Sequence, residues 1–226
     1  MHAESPRTGC TDLDCCCDPS AADGNQDGVA FGDQRLDPVQ QAVGADAFKL
    51  LLESGQPVTM ASIAEAASVD LVAAIEVLGG FARTGNVSMK GEQVVGITGL
   101  SVEPTRHRIE LDFGRRWTWC ALDAVGIVDA IGDGVIHSEM VEGHVRLQIN
   151  GGEVESNDLA VFVAEGDGMT SAIDQWCPVV NFFPSSASAT GWAAERGVAG
   201  RPVLVAKIAS QLIERWRSVL NYHQAR

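Results

Sequence analysis

The spacing of apolar residues changes once along this chain of 226 residues, and the change predicts two folded units behind a tail. From residue 37 to residue 103 apolar side chains recur at the period of short helices, whereas residues 104–226 hold runs that alternate like strands. Residues 1–36 carry seven acidic side chains and little apolar surface, so burial there cannot offset the entropy of ordering. We predict an α+β protein with a tail (1–36), a helical module (37–103) and a strand-rich α+β unit (104–226).

The helical module has the outline of a winged helix, which is three helices followed by a β-hairpin. Pro38 suits the first turn of the first helix, and Gly55 is the type of residue that ends one. Two further short helices follow, each preceded by a Ser, Thr or Asp residue that can cap it. Lys90 and Gly91 lie between two strand-like runs and predict the turn of the hairpin.

The strand-rich unit contains two alternating runs and two apolar runs of helical character. Residues 108–113 and 141–149 alternate between apolar and polar side chains, as strands with one buried face do. Residues 117–131 are apolar and rich in alanine, which predicts a buried helix. Residues 202–222 place apolar side chains at a helical period and predict a long C-terminal helix.

The acidic composition argues against two classes of partner. The formal net charge is −14, whereas binding to nucleic acid phosphates requires a surplus of Lys and Arg. The helical module itself has only Lys49, Arg83 and Lys90 against eight acidic residues, which opposes a DNA-binding role. The charge also disfavours an anionic membrane surface, and no apolar run reaches the ~20 residues of a membrane span. The first residues lack the features of a secretion signal, so we predict a cytoplasmic protein with neither nucleic acid nor membrane as partner.

The six cysteines fall into two groups, and in a reducing compartment they are free thiols, metal ligands or nucleophiles rather than disulfides. Four of them lie among acidic residues in the tail, at Cys10, Cys15, Cys16 and Cys17. Such a segment can bind soft metals such as mercury, or zinc or arsenite, or it can be an extension without a function. The other two, Cys120 and Cys177, belong to the strand-rich unit.

Cys120 stands three residues before Asp123, so the two share one face of the predicted helix. A carboxylate there opposes thiolate formation, which suits a site where a soft metal consumes the thiolate and the acid moves a proton. Cys177 begins a predicted apolar strand, and together the two cysteines can supply two sulfur ligands to a soft metal. The structural alternative is that Cys120 is a small buried apolar residue and that Asp123 caps the helix or faces solvent.

The residues around both cysteines resemble one protein family. The sequence Trp-Cys-Ala-Leu-Asp at residues 119–123 is similar to the signature of the organomercurial lyases, also called alkylmercury lyases. Cys177, followed by Asn-Phe-Phe-Pro-Ser at residues 181–185, resembles the second cysteine of that family, which stands shortly before a pair of phenylalanines. The likeness extends over residues 37–220 and includes the helical module, Gly-Trp-Ala at residues 191–193 and the C-terminal helix.

The resemblance implies an enzyme of mercury detoxification that cleaves carbon–mercury bonds by protonolysis, giving a hydrocarbon and Hg(II). It implies that Cys120 and Cys177 bind mercury as thiolates and that Asp123, close to the metal, relays the proton. It implies no organic cofactor: Hg(II) is the bound product, external low-molecular-weight thiols remove it, and a mercuric reductase is the expected partner. The alternative is a non-enzymatic thiol carrier or sensor of soft metals such as mercury or arsenic, with the winged-helix module in a regulatory role.

Overall fold

The computed structural model describes residues 36–154, 158–208 and 216. The four cysteines of the predicted tail lie outside these residues, as does most of the predicted C-terminal helix beyond residue 208. No helix in the described part of the chain is long and apolar enough to cross a membrane.

The helical module follows the predicted order of elements. It comprises α1 (Pro38–Ser54), β1 (Val58–Thr59), α2 (Met60–Ala67), α3 (Leu71–Arg83), β2 (Val87–Lys90) and β3 (Gln93–Ile97). The Asp37 carboxylate caps α1 by accepting hydrogen bonds from the backbone amides of Val39 and Gln40, and Gly55 ends it with a φ of 63°. The predicted bounds of the first helix and the predicted hairpin are therefore confirmed, while the winged-helix assignment stays a prediction.

After β4 (Leu100–Ser101), which still belongs to residues 37–103, the strand-rich unit adds eight strands and the helices α4 (Ala121–Ile131) and α5 (Ser186–Arg196) among the described residues. The strands are β5 (His107–Leu111), β6 (Gly114–Thr118), β7 (Asp133–Met140), β8 (Gly143–Asn150), β9 (Glu153–Val154), β10 (Ala160–Ala164), β11 (Phe182–Phe183) and β12 (Gly200–Leu204). Two short helical turns, Ala172–Trp176 and Cys177–Val179, lie between β10 and β11. The predicted α+β class is confirmed.

Most described strands belong to one antiparallel sheet that runs through both units. Its order is β1-β3-β4-β6-β5-β7-β8-β9, with β2 also paired to β3, and a smaller sheet has the order β11-β10-β12. Because β4 pairs with both β3 and β6, the sheet continues across residues 103 and 104. The sheet therefore has no break at this boundary, and the division of the chain into two domains there stays a prediction.

The predicted helix over residues 117–131 is wrong in its first part. Trp117 and Thr118 belong to β6 and pair with Arg108 and His107 of β5, so the helix begins only at Ala121. The residues Trp-Thr-Trp at 117–119 have side chains that favour strands, and pairing with β5 makes residues 117 and 118 a strand and not a helix.

The start of the predicted C-terminal helix is also wrong. Residues 202–204 belong to β12, which pairs with β10, and helical residues begin at Val205. Pro202 is compatible with this position because β12 lies at the edge of the smaller sheet, where a strand needs fewer backbone donors.

The two units are joined by a buried arginine. The guanidinium of Arg116, on β6, donates hydrogen bonds to the backbone carbonyls of Leu52 and Glu53 in the last turn of α1. These carbonyls have no partner within the helix, and a cation also complements the negative end of the helix dipole. Burial lowers the pKa of Arg116, and the carbonyl contacts offset part of the cost of burying its charge.

The large sheet has an apolar face, against which α4 packs, and a polar face on the opposite side. Ile109, Ile136 and Leu147 are almost fully buried on the face against which α4 packs. Side chains alternate along a strand, so Arg108, His137 and the residues in register with them lie on the opposite face. The first turn of α4 follows directly after the end of β6, which places residue 120 at the margin of the sheet.

Candidate active site

Cys120 occupies the N-cap position of α4 rather than a position inside the predicted helix. Its backbone is extended, with φ −143° and ψ 172°, and its Sγ accepts a hydrogen bond from the backbone amide of Asp123 at 3.4 Å. The flanking amides are fixed as well: that of Trp119 donates to the Gly99 carbonyl at 2.9 Å and that of Ala121 to the Val180 carbonyl at 3.2 Å. Cys120 is fully buried, and backbone contacts determine its position.

Asp123 lies in the first turn of α4 and faces Cys120. The Cys120 thiol donates a hydrogen bond to Oδ2 of Asp123 at 3.0 Å, so the residues that sequence spacing placed together are in contact. Asp123 is 5% exposed. The positive end of the helix dipole favours a negative carboxylate at this place.

A tight turn between β3 and β4 forms the wall behind the carboxylate. Thr98 and Gly99 both have positive φ, at 48° and 86°. A Cβ atom on Gly99 would lie 2.2 Å from Cγ of Asp123, so only glycine allows the carboxylate to approach this closely. Gly99 was not predicted from the sequence, although a glycine between two short apolar runs is a signal of a turn.

Cys177 lies on a helical turn and not, as predicted, at the start of a strand, because β11 begins only at Phe182. Side chains hold this turn in place. The indole Nε1 of Trp176 donates to the Ala164 carbonyl at 2.9 Å. The buried Asn181 donates through Nδ2 to the Pro178 carbonyl at 3.0 Å and accepts at Oδ1 from Arg106 at 2.7 Å. From the sequence, Asn181 was recognisable only as part of the motif that follows Cys177.

The fold brings Cys120, Asp123 and Cys177 together. One sulfur from each cysteine and a carboxylate oxygen all lie within 4.8 Å of one another, and all three residues are buried. Two metal–sulfur bonds of ~2.3 Å, the length of zinc–thiolate bonds, can bridge sulfurs that lie within this limit. The arrangement can therefore hold one soft metal ion between two sulfurs with a carboxylate beside it.

The surroundings of Cys120 keep its proton on sulfur. Burial raises the pKa of the Cys120 thiol well above its ordinary value, and a hydrogen bond with Cys177 and the negative charge of Asp123 raise it further. At neutral pH the Cys120 thiol of the free site therefore keeps its proton. The proton leaves only when a metal binds the sulfur or a stronger acceptor takes it. The expectation that Asp123 opposes thiolate formation agrees with this.

The remaining residues considered in the sequence are elsewhere. His137 and His144 lie on the polar face of the sheet, on β7 and β8. The tail cysteines lie outside the described residues.

A buried pair of thiols with an adjoining carboxylate is a set of donor atoms that suits a soft metal ion. A sequence profile of the family described as alkylmercury lyase matches residues 100–218. The alkylmercury lyase of Staphylococcus epidermidis is 34% identical over 106 residues, which cover 44% of this chain and 49% of that protein. The alkylmercury lyase of Streptomyces lividans is 31% identical over 158 residues, which cover 66% of this chain and 71% of that protein.

The matched region spans about half the length of the Staphylococcus protein and more than two thirds of the Streptomyces protein. A solved structure, the crystal structure of the mercury-bound form of MerB2, has the same fold. It aligns with a TM-score of 0.74 and 20% identity over 82% of this chain and 93% of that chain. The profile covers more than half of the sequence, and the chain belongs to the alkylmercury lyase family. Membership supports the prediction of an enzyme and not the alternative of a non-enzymatic carrier or sensor.

Proposed function

We propose that this chain cleaves the carbon–mercury bond of organomercurials by protonolysis, with Cys120 and Cys177 as the mercury ligands and Asp123 as the proton relay. The observation that carries the proposal is the convergence of two sulfurs and a carboxylate oxygen within 4.8 Å in a buried site. Mercury(II) is a soft ion that prefers thiolate, which gives the two cysteines their role. A carrier would need only the sulfurs, whereas Asp123 gives the site a means to move a proton.

The proposed reaction balances without an oxidant or reductant. An organomercurial reaches the site as the adduct R–Hg–SR′ with an external thiol. Cys120 and Cys177 lose one proton each and form two sulfur–mercury bonds, while the bond to SR′ and the carbon–mercury bond break. One proton leaves with R′SH, and the other goes to carbon and gives the hydrocarbon R–H.

Asp123 is the proposed relay between sulfur and carbon. Its Oδ2 already accepts the hydrogen bond of the Cys120 thiol, so it can take that proton when sulfur binds mercury. Two thiolates raise the electron density on mercury, which makes the bonded carbon more basic. The protonated carboxyl group then lies beside the metal and can return the proton to that carbon.

Product release involves partners that the site implies chemically. Hg(II) held by two sulfurs leaves only when other thiols replace them, so the proposal includes low-molecular-weight thiols as co-reactants. A mercuric reductase is the proposed consumer of the product, and the cytoplasm, where thiols stay reduced, is the proposed location. The tail cysteines Cys10, Cys15, Cys16 and Cys17 are proposed as additional mercury ligands.

The test is to incubate the purified chain with methylmercury and excess thiol in D₂O and to analyse the headspace gas. We expect methane with one deuterium, since the transferred proton comes from an exchangeable group. Asp123→Asn keeps the side-chain size but removes the relay, and should lower the rate by ~10³-fold while mercury still binds. Bound mercury without methane from the unmodified chain, or an unchanged rate in Asp123→Asn, would contradict the proposal.

A further inference from the structure

The polar face of the large sheet carries a row of four side chains in register. Trp117 on β6 is opposite Arg108 on β5, which is opposite His137 on β7, which in turn is opposite Arg146 on β8. These side chains and their neighbours line a groove of about 450 Å³. This volume is in the range of sites for small molecules.

The groove concentrates positive charge in a chain whose net charge is −14. Arg106, Arg108 and Arg146 line it, and Glu139 is the acidic residue among its lining side chains. Beside it, Glu110 pairs with both Arg108 and His137 at 3.2 Å. Arg146 is exposed and forms no ion pair with a described residue, so its guanidinium is available to an anion.

Two chains of hydrogen bonds connect the groove to the segments that carry the cysteines. Thr105 lines the groove and donates to the Thr118 carbonyl at 2.6 Å, and the Thr118 hydroxyl donates to the Cys120 carbonyl at 3.1 Å.

On the other side, Arg106 donates to Asn181 at 2.7 Å, and Asn181 donates to the carbonyl of Pro178, the residue after Cys177. One end of the groove thus adjoins both cysteine-bearing segments.

We propose that this groove binds the carboxylates of the low-molecular-weight thiol that removes Hg(II) from Cys120 and Cys177; this rests on the proposed function. Guanidinium groups bind carboxylates through paired hydrogen bonds, and the indole of Trp117 offers an apolar surface to the rest of the molecule. The exchange needs no redox chemistry. Each incoming sulfur bonds to mercury and gives its proton to the cysteine whose bond to mercury breaks.

The test of binding uses S-methylglutathione, a thioether with two carboxylates and no thiol proton, and follows tryptophan fluorescence. We expect saturable binding that weakens with salt and that is at least ~10-fold weaker for the dimethyl ester of the probe. Arg146→Gln and Arg108→Gln should each raise the Kd of the probe by ~10-fold. Trp117→Phe should remove the fluorescence change, which assigns the signal to the groove rather than to another tryptophan.

Lys49→Gln is the matched control, since it removes one positive charge from an exposed position on α1 and changes the net charge equally. It should leave the Kd unchanged. Three outcomes would overturn the proposal: equal effects of Lys49→Gln and Arg146→Gln, equal binding of acid and ester, or acetate bound as tightly as the probe. Each of them means that the groove does not recognise the thiol-bearing molecule.

A kinetic measurement separates this proposal from the proposed function. In single turnovers the amount of hydrocarbon formed should be the same in Arg146→Gln and the unmodified chain. Release of Hg(II) from the loaded site into glutathione should be ~10-fold slower in the variant, and release into glutathione dimethyl ester should be unchanged. If no hydrocarbon forms at all, the proposed function fails, while the probe titration still decides whether the groove binds. Equal release rates from variant and unmodified chain would overturn the role in product removal.

Discussion

The two cysteines of the site are held by different kinds of structure. Cys120 is fixed by the backbone, because it caps α4 and its neighbouring amides bond to Gly99 and Val180. Cys177 lies on a short turn that depends on the side chains of Trp176 and Asn181. One half of the site is thus part of a helix terminus. The other half is a short turn in which side-chain hydrogen bonds supplement a few backbone bonds, such as that from the Phe162 amide to the Asn181 carbonyl.

The two kinds of support suit two different steps of the proposed reaction. A helix terminus gives a fixed geometry between thiol and carboxylate, which suits proton transfer over a short distance. A turn held by a few side-chain bonds can shift more easily, which suits a ligand that must accept and later release a metal ion.

Replacement of either cysteine by serine should abolish carbon–mercury cleavage, with a rate at least ~10⁴-fold lower. The reason is the loss of one of two sulfur ligands, since a hydroxyl group is a poor ligand for mercury. Serine is a good N-cap residue, so Cys120→Ser should fold normally and keep its thermal stability. The measurement is hydrocarbon release together with mercury stoichiometry at limiting competitor thiol. Full activity in either variant would show that one cysteine suffices.

Gly99→Ala should reduce the rate of hydrocarbon release by ~10²-fold, because the new methyl group would displace the Asp123 carboxylate from its place beside Cys120. Mercury binding by the two sulfurs should persist, since neither cysteine is touched by the change.

Gly91→Ala is the matched control for this variant. Gly91 has a φ of 62° and no neighbour within 4 Å of a Cβ atom, so alanine there brings the same kind of backbone strain without the collision. Both variants should lose stability, and only Gly99→Ala should lose the reaction. Similar rates in the two variants would refute the role given to the turn.

Asn181→Ala tests the half of the site that side chains hold. It leaves the Pro178 carbonyl without its donor, which should cost ~1–3 kcal/mol of stability and lower the rate by ~10-fold as Cys177 loses its fixed place. Thermal unfolding and single-turnover rates are the measurements.

Asn86→Ala serves as the control for this change. Asn86 is half-buried, and it likewise donates a hydrogen bond from Nδ2, to the Thr84 hydroxyl at 2.9 Å, but within the helical module. It should lower stability without a change in the rate of the reaction. A tenfold rate loss in Asn86→Ala would mean that Asn181 acts through general stability and not through Cys177.

Local spacing explains which half of the site could be predicted from the sequence. Cys120 and Asp123 are three residues apart, so any helical start at this place brings them together. The contact of Asn181 with Arg106 joins residues 75 positions apart, and no local pattern reveals it. The fold class followed from hydrophobic periodicity, whereas the strand at residues 117 and 118 depended on pairing with β5.

His107 lies where the two halves meet, and it should produce a smaller effect, on stability at acid pH. It is fully buried, opposite Thr118 of β6, and its ring packs edge-on against Phe182 at 5.9 Å. Burial, together with the charge of Arg106, lowers the pKa of His107 from 6.5 to about 3. Nδ1 is bonded to the Ser138 hydroxyl at 2.7 Å, and Nε2 has no partner among the described residues to compensate a charge.

The folded-state pKa lies below the unfolded value, so between pH 6.5 and about pH 3 the unfolded state binds the extra proton. Stability is therefore fully present above pH 6.5 and falls with acidification, by up to ~1.4 kcal/mol per pH unit from this residue. His107→Asn has no titrating ring, and its urea unfolding should depend less steeply on pH over this window. His144→Asn, at an exposed position, should follow the unmodified chain. Parallel pH profiles for His107→Asn and the unmodified chain would mean that His107 is protonated without breaking the contact between the two halves.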